Sequence, residues 1–116
     1  MNLEAAKALC LSFPGTVADV KWGADLVFSV GEKMYACMPN EAPDSIGFKV
    51  EDERFLELTD RPGIIPAPYL ARAKWIKVVD AKALGDAEAA ALLRRAYELV
   101  FAKLTRKLQR EIADAA

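Results

Sequence analysis

Residues 26–38 read LVFSVGEKMYACM, and this stretch decides the fold. Two runs rich in β-branched, aromatic and other apolar residues, Leu26–Val30 and Lys33–Met38, flank Gly31-Glu32. A two-residue loop with glycine first predicts a β-hairpin with a type II′ turn. That turn sets Val30 opposite Lys33, Phe28 opposite Tyr35 and Leu26 opposite Cys37. One face then carries Leu26, Phe28, Val30, Tyr35 and Cys37. The other carries Val27, Ser29, Met34 and Ala36. The bulkier face is expected to meet helices and the thinner one to stay partly open.

Upstream, Asn2 suits a helix cap, and Leu3, Ala6, Cys10 and Phe13 recur at helical spacing. Pro14-Gly15 ends that helix, Val17–Trp22 reads as a short strand or extended connection, and Trp22-Gly23 marks a bend. Downstream, Ser45–Val50 is a third strand with Ile46, Phe48 and Val50 alternating against Gly47 and Lys49. Glu51-Asp52-Glu53 opens a short helix whose apolar side is Phe55, Leu56 and Leu58. Pro62-Gly63 breaks the chain, and Pro66 and Pro68 suit the first turn of a small helix running through Arg72. Trp75–Asp80 is a further strand, with Trp75, Lys77 and Val79 on one face. The longest helix starts at Gly85-Asp86, capped by Asp86, and holds Ala89, Leu92, Leu93, Ala96, Val100, Leu104 and Leu108 on a 3.6-residue period. With no repeat and no linker, residues 1–116 are expected to form a single α+β domain. Its two layers are an antiparallel sheet of about four to five strands and the N- and C-terminal helices packed on it.

Composition narrows the function. The chain has 116 residues, 53% of them hydrophobic, and a net charge of −1, which fits a globular domain rather than an obligate polyanion binder. It has no histidine, which removes the commonest general base and the commonest metal ligand. Cys10 and Cys37 alone cannot make a zinc site and read as small buried hydrophobes of a reducing compartment. The six glycines are scattered, so no phosphate-cradling loop is present. Acids at 51–53 point in different directions from a helix start and do not make a metal site. No enzyme activity, metal or cofactor is expected. The N-terminus lacks a basic n-region and no apolar run reaches membrane-span length, so a cytoplasmic, soluble monomer is expected.

The chain resembles the MmcQ/YjbR family. The match runs through Phe13-Pro14-Gly15-Thr16, Asp19-Val20-Lys21-Trp22-Gly23 and Asp25-Leu26-Val27-Phe28. It continues through Val30-Gly31, Lys33-Met34-Tyr35-Ala36 and Ile46-Gly47-Phe48-Lys49. The most specific block is Gly63-Ile64-Ile65-Pro66-Ala67-Pro68-Tyr69-Leu70, followed by Arg72 and Trp75; Tyr97-Glu98-Leu99-Val100 and Lys103-Leu104 complete it. The resemblance implies a compact α+β domain related in shape to frataxin-like and secretion-chaperone-like folds. It also implies DNA binding, the role with which the family is labelled, sometimes through a double-wing arrangement. The family commonly has proline after the Lys-Leu pair, where this chain has Thr105, so the last helix is free to run on or to kink.

Three binding surfaces follow. Arg61–Lys82 holds five basic residues against one acid, while Glu41–Asp60 holds seven acids against Lys49 and Arg54. A basic face of Lys21, Lys49, Arg72, Lys74 and Lys77 would position DNA through its phosphates. Tyr69 or Trp75 would stack on an exposed base, although a strand tryptophan more often belongs to the core. Trp22, Tyr69 and Trp75 together would line a groove for a peptide or small molecule. The thinner sheet face would serve a protein-interaction or chaperone-like module. A basic cluster of Lys103, Arg106, Lys107 and Arg110 late in the last helix reads first as complementing the helix dipole.

Overall fold

The hairpin forms, but a bulge shifts its pairing. The computed structural model describes residues 1–116, with β2 (Asp25–Val30) and β3 (Lys33–Pro39) antiparallel. Val30 opposes Lys33 as expected. Ser29 then pairs with Met34 and Phe28 with Ala36, leaving Tyr35 as the extra residue. A bulge displaces the side-chain alternation by one residue. Ala36 and Met38 therefore join Tyr35 in the core, and Cys37 moves to the opposite face, reversing the expected placement of Ala36 and Cys37. The turn also differs. Gly31 has φ 56° and Glu32 φ 67°, the double left-handed pattern of type I′ rather than type II′.

Tyr35 holds the bulge in place. Its hydroxyl lies 2.9 Å from Thr16 Oγ1 and donates to the Cys10 carbonyl at 3.1 Å, while its ring meets Phe13 and the edge of Tyr97. Removing the hydroxyl takes one of two donors from that carbonyl, which keeps the Phe13 amide at 3.1 Å, and leaves Thr16 Oγ1 without its side-chain partner. Tyr35→Phe is therefore expected to lower unfolding free energy by about 1–2 kcal/mol, as read by urea titration.

Six strands form the sheet, one more than the upper expectation. Besides the hairpin these are β1 (Thr16–Lys21), β4 (Ile46–Lys49), β5 (Ile64–Pro66) and β6 (Trp75–Val78), in the spatial order β1-β2-β3-β4-β6-β5, every neighbour antiparallel. Pro66 ends a strand instead of opening a helix, and β5 is an edge strand, where a missing N–H is tolerated. The helical piece nearby is only a short 3-10 turn, Ala71–Ala73.

α1 (Leu3–Ser12), α2 (Asp52–Thr59) and α3 (Asp86–Phe101) contribute to one core of 25 buried residues with one face of the sheet. Asn2 caps α1 as expected, whereas the cap of α3 is Gly85 and Asp86 is its first helical residue. Leu56 is 80% exposed and lies off the apolar side of α2, which is made by Phe55 and Leu58. The chain breaks after α3 without proline. Thr105 accepts a hydrogen bond from the Leu108 amide at 3.2 Å and caps α4 (Arg106–Ala115). Gln109 Nε2 donates to the carbonyl of Leu104 and adds a second donor at the Phe101 carbonyl, which also accepts from the Leu104 amide. No helix is long and apolar enough to cross a membrane.

Candidate functional site

The sheet face opposite the helices is set by register. One cross-strand row runs Asp19, Val27, Cys37, Gly47, Lys77, Ile65 from β1 to β5. Residues two positions away along each strand share this face, which adds Lys21, Asp25, Lys49 and Trp75. Over its middle lies a half-open groove of about 440 Å³. Cys37, Gly47, Trp75 and Lys77 form its floor, with Met34, Met38 and Pro39 from β3 alongside.

Two aromatic side chains stand on its rim. Trp22, in the turn joining β1 to β2, is 65% exposed, and Tyr69, in the turn after β5, is fully exposed. Both have left-handed backbones, φ 54° at Trp22 and φ 66° at Tyr69. Trp75, by contrast, is 3% exposed and presents only its buried ring to the floor. The groove carries one carboxylate, Asp25, and one ammonium, Lys77. Burial pushes the Cys37 thiol up from its usual value; Asp25 adds to this, and Lys77 opposes it. That direction disfavours the thiolate.

A family model described as YjbR matches residues 11–99. The chain belongs to the YjbR family. Its fold is shared by protein DR2400 of Deinococcus radiodurans, whose crystal structure carries the DUF419 domain. The two are 25% identical with a TM-score of 0.83, covering 97% of this chain and 88% of that one. A protein of Pseudomonas syringae is 26% identical with a TM-score of 0.68, covering 86% of this chain and 99% of that one. No curated protein matches.

This YjbR domain brings Trp22, Tyr69, Trp75 and Lys77 together at the groove. It distributes the other expected cations around it. Lys21 lies on the same face at the end of β1, four strands from β6. Lys49 donates to the Ala73 carbonyl at 2.7 Å; burial lowers its ammonium from the usual value and nearby Lys103 adds to the effect. Lys74 reaches to the helical layer, its ammonium 5.1 Å from the centre of the Phe55 ring. Arg72 sits in the 3-10 turn between the groove's rim and β6. Arg61, also in the basic stretch, is committed to ion pairs with Glu57 and Glu88 at 2.8 and 2.7 Å, and its hydrogen bonds hold the Glu88 carboxyl below the usual range. Ion pairs elsewhere involve Arg54, Arg95 and the N-terminal amine, which leaves Lys21, Arg72, Lys74 and Lys77 without carboxylate partners. Met34 and Cys37 are groove residues that sequence reasoning did not single out; for Cys37 the only signal would have been the bulge.

Proposed function

We propose that this YjbR domain is a non-enzymatic binding protein that takes a segment of single-stranded DNA along the groove of its uncovered face. One observation carries the reading: both rim aromatics are exposed, and both are held in a backbone region unfavourable to bulky side chains. Such a conformation costs on the order of 1–3 kcal/mol in the free protein, and strained residues of this kind cluster at ligand-binding sites. Exposed bases stack on aromatic faces for about 1–3 kcal/mol each, whatever their identity. Lys77 supplies a cation for a phosphate, with Lys21 farther along the same face. A duplex hides its bases from such a surface. The groove's chemistry supports binding over catalysis, since its titratable groups are a single carboxylate, a single ammonium, the rim phenol of Tyr69 and a thiol whose thiolate form burial disfavours.

The test is a fluorescence-anisotropy titration with labelled oligothymidine and with a duplex of equal length, each at two salt concentrations. The single strand is expected to bind more tightly. Its log-log salt slope should be shallow, about −1 to −2, because few cations face the groove. Equal or tighter duplex binding, or no binding to either, removes the reading. A second reading, a small planar anion, is favoured by the groove's volume, which lies within the range of small-molecule sites. Thymidine monophosphate binding as tightly as the oligomer would select it.

A further inference from the structure

Gly47 lies in β4, with β3 on one side and β6 on the other. Glycine in the interior of a strand weakens it, because it costs backbone entropy and packs no side chain. Its presence calls for a bulge, a bend, a left-handed backbone or the close approach of another group. Here β4 pairs regularly on both sides, Cys37 with Gly47 and Gly47 with Lys77, and no bulge falls at that position. Gly47 is not among the glycines with positive φ. The neighbours do not exclude a side chain either. A Cβ at Gly47 would lie 3.4 Å from the Ile76 carbonyl oxygen and 3.5 Å from Cys37 Sγ, both ordinary contacts. This contrasts with Gly15, Gly31 and Gly63, where a Cβ would come within 2.8 Å or less of another atom. The fold thus gives no reason for glycine at 47, whereas the groove does: the bare backbone lies on its floor between Cys37 and Lys77.

We infer that Gly47 is the point where the ligand touches the sheet, its missing side chain setting how deeply a planar group settles beside Lys77. The inference rests on the groove reading above and adds the residue that limits what the groove admits. A methyl group at 47 would raise the floor under the bound group while improving the strand. The rim aromatics would then stack at the wrong height, and the Lys77 ammonium would meet its anion less closely.

The experiment compares the native chain, Gly47→Ala and Gly47→Val by oligothymidine anisotropy and by thermal melting. Gly47→Ala is expected to bind about tenfold or more weakly, with a melting temperature unchanged or raised by about 2–5 °C. Gly47→Val should bind more weakly still. Val17→Thr, a change on the same face outside the groove, should bind like the native chain. If the native chain binds and Gly47→Ala binds equally well, the assignment of Gly47 is overturned while the groove reading stands. A lowered melting temperature in Gly47→Ala also overturns it, since the glycine would then serve the fold. No binding by the native chain overturns both.

Discussion

Replacing Trp22 and Tyr69 together by glycine is expected to abolish measurable single-stranded DNA binding without lowering stability. Two base-stacking contacts at about 1–3 kcal/mol each imply at least a thirtyfold loss of affinity. Stability should move the other way at Tyr69. Its side chain is fully exposed and its φ is 66°, so the native state gains little from the ring and carries the cost of a left-handed tyrosine. Tyr69→Gly should therefore raise unfolding free energy by about 0.5–1 kcal/mol, glycine entering that region at no steric cost. At Trp22 the relief is offset by the part of the indole that is packed, so Trp22→Gly should be close to neutral. Tyr69→Phe keeps the aromatic face and should keep most of the affinity. Denaturant melts beside the anisotropy titration read both quantities. A double variant that binds like the native chain would show that the rim aromatics are not a stacking surface. One that binds poorly because it is partly unfolded would contradict the expected direction at Tyr69.

Locality decides which parts of this protein were legible in its sequence. α1 and α3 were, because their apolar stripes are local: Leu3, Ala6, Cys10 and Phe13 repeat within a few turns, as do Ala89, Leu92, Leu93 and Ala96. The end of α3 at Phe101 was not, because Leu104 and Leu108 continue the same period across the break into α4. The hairpin's position was legible as well, from its turn. Its register was not, because the bulge at Tyr35 is fixed by a hydroxyl bonded to Thr16 and Cys10, partners 19 and 25 residues away. That single shift exchanged Ala36 with Cys37 and hid the groove's floor. β5 escaped notice because three residues ending in proline carry no alternation to read. Trp22, Tyr69 and Trp75 line one groove, and Trp22-Gly23 and Pro66–Tyr69 announce the corners that bring them there. The cations were harder to place. Lys74 and Lys77 are three apart in sequence, yet Lys74 takes a left-handed backbone, φ 61°, and turns to Phe55 while Lys77 points to the groove. Spacing on a strand predicts a face only while the strand lasts, and Lys74 lies just before β6 begins.

The hairpin turn predicts the largest stability effect outside the central core. Gly31→Ala is expected to cost about 2–4 kcal/mol, the sum of two terms. Alanine in a left-handed turn position forfeits about 1 kcal/mol. Its Cβ would also stand 2.6 Å from Leu104 Cδ2, 2.7 Å from Leu104 Cδ1 and 3.0 Å from Leu108 Cδ2. Overpacking of this kind typically costs about 1–3 kcal/mol. Leu104 is buried in the α3–α4 corner, so the helices must withdraw from the hairpin tip to make room. The second turn residue separates the two terms. Glu32 shares the left-handed geometry at φ 67° but is exposed, and Glu32→Gly should stabilise by about 0.5–1 kcal/mol through the backbone alone. Leu104→Ala should cost about 2–4 kcal/mol by itself. In the double variant Gly31→Ala/Leu104→Ala, the truncated side chain no longer meets the added methyl, so the total loss should fall short of the two single losses by about 1 kcal/mol or more. Guanidinium titration of the four proteins measures this. Strict additivity would mean that the hairpin tip and the α3–α4 corner do not bear on each other, and that Gly31 is required by the turn alone.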